Sequence, residues 1–414
     1  MSFLVRTYLG LSILSTIFFG LNIQAGGANL NPERILYFAS PIFLVLSLRR
    51  WFARSQLPPG TILYGLWVVA NAFALLLSTN PQAHLPGLLI CTIPFVYFLI
   101  FASSSANDQV VDQWVLVSIV VCELLAIAAF SGAIDASVAF EGDRLRLTMF
   151  EPNILGAVVG AFYFLLLPGG GQSPLRRASL FIAPALVLLS FSKGPYFAFL
   201  FCAGVYYLLT TNKRKRSIGM LVAVFLSLVL MLVIAAYADE IQTSFDALLA
   251  RPDAINSRLL VAQLAWYRFL AEPIFGNGPL DMAIAAPQVM SNLGSDSIRS
   301  VWIAQIFLSI LHDSGILGFA AFLLLLARLS LGFARVIRNS EHPQRGASYF
   351  CAFLMLVICS QATSTHLNAV FGIIAGLLAS YIASSGTEKK RLKSPSGARH
   401  NRSASRIAMQ VGEA

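Results

Sequence analysis

Apolar runs long enough to cross a bilayer recur along almost all of this sequence, and one stretch, 239–302, breaks the series with 64 residues that cannot span. A helical crossing needs roughly 20 apolar residues. Inside lipid only helices and closed barrels satisfy every backbone N–H and C=O, and the strict alternation of barrel strands is absent. The expected class is therefore all-α, a polytopic membrane protein. Charge content agrees: 12% of the 414 residues are charged and 57% are hydrophobic, whereas soluble domains run near ~25% charged.

Hydrophobic patterning predicts about twelve transmembrane helices, at 7–24, 35–48, 61–78, 85–103, 113–131, 154–168, 178–192, 195–211, 218–238, 303–331, 347–364 and 366–384. The chain then divides into spans one to nine (1–238), a large loop with an amphipathic helix (239–302), spans ten to twelve (303–384) and a basic tail (385–414) expected to be disordered. The first span has the small residues of a signal peptide near its end, but with so many spans following it reads as an uncleaved helix. No internal repeat is visible.

The net charge of +10 would suggest nucleic acid in a soluble protein; here it is a matter of topology. With both termini in the cytoplasm, 21 Lys and Arg fall on the inner side and eight on the outer, the bias expected of an inner-membrane protein. The large loop is then outside. Five cysteines lie singly in apolar runs without metal-ligand spacing and read as small buried hydrophobes.

Within the loop, Asn256 or Ser257 can cap a helix carrying Leu259, Leu260, Leu264, Trp266, Phe269 and Leu270 on its apolar side, ended by Glu272-Pro273 and a Gly276–Pro279 turn. The run 303–331 has 29 residues, about 43 Å as one helix against a ~30 Å core. With His312-Asp313-Ser314-Gly315 in its middle, a break is expected there: a partial helix over 303–311, then a full span from 315.

Several cations on the outer side come from separate segments, as a clamp for a diphosphate needs: Arg144, Arg146, Lys193, Arg258 and Arg268. Arg suits that task because its guanidinium is permanently charged and contacts two oxygens at once. His312, Asp313 and Glu151 are the candidates for proton transfer. Glu123 reads as a structural acid, and His84 and His366 as ordinary loop histidines.

At these clusters the chain resembles the O-antigen ligase and O-antigen polymerase superfamily of bacterial envelope polysaccharide glycosyltransferases. The matching pieces are RLRLTMFEPNILG, SFSKGP, SRLLVAQLAWYRFLAEPIFGNG and ILHDSGILGF. The resemblance implies a C-type glycosyltransferase fold without metal or other cofactor. It implies an undecaprenyl-diphosphate-linked glycan donor, a glycan or glycolipid acceptor, and chemistry at the periplasmic face. Carried over, Arg144 or Arg146, Lys193 and Arg258 would contact the diphosphate, and Asp313 takes the acidic position of the family's acid-x-Gly-x-x-Gly helix. Ligases place a His about nine residues before that acid, where Ala304 stands here. That departure favours a polymerase of O-antigen or exopolysaccharide repeats, with a chain-length regulator as a possible partner. The alternatives are a ligase to lipid A-core or another acceptor, and a transporter or flippase of an anionic glycolipid. Polar groups concentrated at the outer face favour the enzyme.

Overall fold

The computed structural model describes residues 3–211, 252–285 and 303–393, apart from a few joints and single positions within those ranges. The chain is helical in nearly every described element. In order these are α1 (Phe3–Ser15), a hairpin of β1 (Ile23–Ala25) and β2 (Ala28–Leu30), α2 (Pro32–Arg54), α3 (Thr61–Leu77), α4 (Pro81–Ser103) and α5 (Asp108–Phe130). Next come α6 (Ala136–Ala139), a second hairpin of β3 (Phe140–Glu141) and β4 (Arg144–Leu145), α7 (Pro152–Leu166), α8 (Pro174–Leu189) and α9 (Lys193–Thr210). The last four are α10 (Pro252–Ala271), α11 (Ile306–Ile337), α12 (Pro343–Cys359) and α13 (Ala369–Lys393).

Each expected span within the described residues overlaps a helix, although the first, 7–24, runs past α1 into β1; the ninth, 218–238, lies outside them. Among the described residues, three helices are long and apolar enough to cross a membrane: Pro81–Ser103, Gln109–Phe130 and Ile306–Ile337. Phe3–Phe18, Thr61–Leu77, Pro152–Leu166 and Ala369–Ser385 are shorter apolar helices. This is a multi-pass membrane protein. α13 continues into the expected tail as far as Lys393, because the Glu and Lys residues there are good helix formers; the rest of the tail lies outside the described residues.

α7 is the central helix. Every residue from Pro152 to Phe162 is buried, as a helix apolar on all sides requires. α12 packs along α7 and α9, α13 along α4, and α11 along α3. At the carboxyl end of α7, Asp112, Arg176 and Arg345 converge from three helices. Arg345 approaches Asp112 Oδ1 to 2.6 Å, and Arg176 approaches Oδ2 to 3.6 Å. The same arginines donate to the Leu165 and Leu166 carbonyls, complementing the negative end of the helix. Arg176 and Arg345 belong to the side that charge counting placed inside, while Glu151 stands at the opposite, amino end of α7.

Candidate functional site

The site begins with a helix that cannot continue. Gly315 adopts φ 63°, ψ −167° inside α11, a conformation essentially restricted to glycine. The break falls at the HDSG motif, where the length of the run required one. In an unbroken helix the His312 and Asp313 carbonyls would accept from the N–H groups of Ile316 and Leu317. Here the turn after α10 enters the gap and takes both ends of those bonds. Asn277 N–H donates to the His312 carbonyl at 2.9 Å and Gly278 N–H to that of Asp313 at 3.1 Å. Ile316 and Leu317 donate to Pro273 and Ile274 at 2.9 and 3.4 Å. All four of these backbone groups thereby keep a partner, as irregular backbone away from water requires. The fit demands glycine on both sides: a Cβ on Gly315 would lie 2.2 Å from the Ile274 oxygen, and one on Gly276 2.5 Å from the Gly315 nitrogen.

Side chains lock the turn in place. Asp281, which sequence reasoning missed, is at the centre. Arg268 grips it with two hydrogen bonds, Nε to Oδ2 at 2.7 Å and Nη2 to Oδ1 at 2.9 Å. His312 Nε2 lies 3.4 Å from Asp281 Oδ2, an ion-pair contact rather than a well-formed hydrogen bond, and its Nδ1 lies 2.8 Å from Asp313 Oδ1. Asp313 Oδ2 accepts from the Leu280 N–H at 3.3 Å. His84, in the first turn of α4, sits 3.8 Å from Asp281 and 3.3 Å from the Pro279 carbonyl oxygen. Burial alone would push the Asp281 carboxyl up, but the His312 and Arg268 contacts outweigh it and hold the carboxyl below its usual range.

A second cluster joins the starts of α7 and α9. Arg144 Nη2 donates to Asn153 Oδ1 at 3.0 Å, and the Ser192 hydroxyl donates to the same oxygen. Lys193 is exposed on the first turn of α9. Glu151, half-buried at the head of α7, accepts from the Thr363 hydroxyl at 3.4 Å. Two helix N-termini, an arginine and a lysine in one place favour an anion. The segment between α12 and α13 meets the second cluster through Thr363 and the start of α11 through the Ser360 carbonyl, which accepts from Ile306 N–H at 3.0 Å.

Of the residues singled out from the sequence, Arg268, His312 and Asp313 come together, and Arg144, Lys193 and Glu151 form the second group. Arg146 instead ties its own loop, donating to the Val138 and Ser137 carbonyls at 3.2 and 2.6 Å. Arg258 lies on α10, and its side chain is outside the described residues. His312 was a candidate base; its ring is fully buried with each nitrogen against a carboxylate. His84 and His366 are not ordinary loop histidines, being 4% and 2% exposed.

α10 starts at Pro252, a turn earlier than expected, since proline suits a first helical position. It buries Val261, Ala265 and Phe269 and leaves Leu260, Trp266 and Leu270 exposed. Asp281 escaped notice because its partners lie 13, 31 and 197 residues away. The available signal was a lone acid in the apolar stretch after Gly276-Asn277-Gly278.

Residues 178–323 match the family model described as O-antigen ligase. Over that segment the chain is similar to the O-antigen ligase family. The matched segment includes Lys193, α10, the inserted turn and the break in α11, and covers less than half of the chain. No match was found among curated proteins.

Proposed function

We propose that this protein is a membrane glycosyltransferase that polymerises lipid-diphosphate-linked oligosaccharide repeats at the outer face of the cytoplasmic membrane. The observation that carries the reading is the turn locked into the α11 break, within the family-matched segment and flanked by outer-end cations. In this reading Arg144 and Lys193 hold the donor diphosphate from the α7–α9 side, and Arg268 meets it from the loop side. Arg258 is assigned to the same clamp and Arg146 to the support of Arg144.

Glu151 is the best placed general base. His312 and Asp313 are engaged with each other and with the inserted turn, whereas Glu151 meets a hydroxyl already. An acceptor hydroxyl in place of Thr363 would give up its proton there as it attacks the anomeric carbon, and the lipid diphosphate would leave toward the arginines.

A ligase reading uses the same machinery with a different acceptor; Ala304 in place of the ligase histidine favours polymerisation. The test is the surface glycan of a deletion strain on a gel. Lipid-core bearing a single repeat indicates a lost polymerase. Full-length glycan stranded on the lipid diphosphate would replace this proposal with the ligase, and an unchanged profile would remove both.

A further inference from the structure

We infer that Asp281 is a positioning residue for transfer, fixing the direction in which the Arg268 guanidinium faces the departing diphosphate. The inference rests on the proposed function and adds a residue that the reading above does not need.

The guanidinium has five N–H donors in a rigid fork. Asp281 takes Nε and Nη2 in a bidentate pair, so the Nη1 donors stand outside that pair. The Arg268 side chain is 36% exposed while that of Asp281 is 6% exposed, so the pair has one buried member and one that solvent or substrate can reach. Asp281 does not stand in for an absent anion. His312 at 3.4 Å and His84 at 3.8 Å hold it from beneath, and its backbone N–H donates to the Gly278 carbonyl at 3.2 Å within the inserted turn. It belongs to the scaffold, and Arg268 reaches down to it from α10.

The energetic consequence is specific. An arginine on a flexible stem loses side-chain entropy when it meets a phosphate; one already tied at its other edge has lost it beforehand. Preorganised donors matter most where charge develops, in the transition state. Removing the Asp281 charge also leaves Arg268 uncompensated, so ground-state attraction for the diphosphate does not weaken. The loss therefore falls on kcat rather than on KM for the donor.

The experiment uses the full-length protein in lipid nanodiscs with a polyprenyl-diphosphate-linked repeat as donor, comparing wild type, Asp281→Asn, Arg268→Ala, Arg268→Lys and the Asp281→Asn/Arg268→Ala double variant. Asp281→Asn is expected to lower kcat about tenfold or more with donor KM no higher than wild type. The double variant should be no slower than Arg268→Ala, which separates positioning from a general loss of folded enzyme. Arg268→Lys keeps the charge but cannot form the bidentate pair, and should show the same kcat loss with every other contact of Asp281 intact. The inference is overturned if Asp281→Asn or Arg268→Lys turns over like wild type. It is also overturned if Asp281→Asn slows the Arg268→Ala enzyme by the factor by which it slows wild type. A wild-type protein with no transfer activity would overturn the proposed function, and this inference with it.

Discussion

At Gly315 two constraints meet in one atom that is missing. The backbone occupies a region closed to side chains, and the Ile274 oxygen fills the space a Cβ would need. Gly315→Ala should therefore cost about 3 kcal/mol or more, since the dihedral strain alone is about 1–3 kcal/mol and the turn must also be displaced. Thermal unfolding should drop, and limited proteolysis should newly cut between residues 273 and 281. His366 makes a different residue-scale prediction. It is 2% exposed, and burial pushes its imidazole down to about 3 from an ordinary 6.5. A histidine kept neutral by the fold contributes stability that is full above about pH 6.5 and lost as pH falls toward the native value. The protein should lose up to about 3 kcal/mol by pH 4 through this group. The pH slope of the unfolding midpoint should flatten in His366→Gln. An equally steep slope in that variant would assign the acid sensitivity elsewhere.

Among the elements, α7 depends on what closes its two ends. Its carboxyl end is held by two arginines sharing Asp112 across α5, α8 and α12. Side-chain exposures of 12% to 16% make this a largely desolvated group, in which removing one partner leaves the others uncompensated. Asp112→Asn should destabilise the protein by about 2–3 kcal/mol after allowing for residual solvent screening. Adding Arg176→Gln should recover part of the loss, as read from unfolding midpoints. Far from the proposed chemistry, both variants should keep the wild-type donor KM. Charge counting put Arg176 and Arg345 on one side, but nothing in the sequence brought them to Asp112, because 64 and 169 residues separate Asp112–Arg176 and Arg176–Arg345 along the chain. The α11 break was legible for the opposite reason. Run length and a polar motif are local properties, so arithmetic on one segment was enough. What filled the break was not legible, since the plug is a turn 35 residues upstream that meets it through backbone hydrogen bonds.

For the whole molecule, the helical class followed from hydropathy. The division of labour among the candidate site residues did not. Arg146 and His312 had the right residue types and the right side, yet one ties a hairpin and the other joins two acids. Only the packed structure distinguishes a polar group spent on the fold from one left facing substrate. Among the three candidates for proton transfer, Glu151 is favoured because it already meets a hydroxyl at the edge of the α7–α9 cluster, whereas His312 and Asp313 are bound to each other. Glu151→Gln keeps the shape and the contact with Thr363 but cannot take a proton, so it should lower kcat about 100-fold or more with little change in donor KM or unfolding midpoint. Thr363→Val should cost far less, about threefold or under, because the hydroxyl is only a placeholder for the acceptor. The two variants together test the assignment in nanodisc-reconstituted protein with the donor saturating. A Glu151→Gln enzyme that retains wild-type turnover would return Glu151 to the role of a helix-end acid, and would leave the scaffold acids around His312 as the place to look for the base.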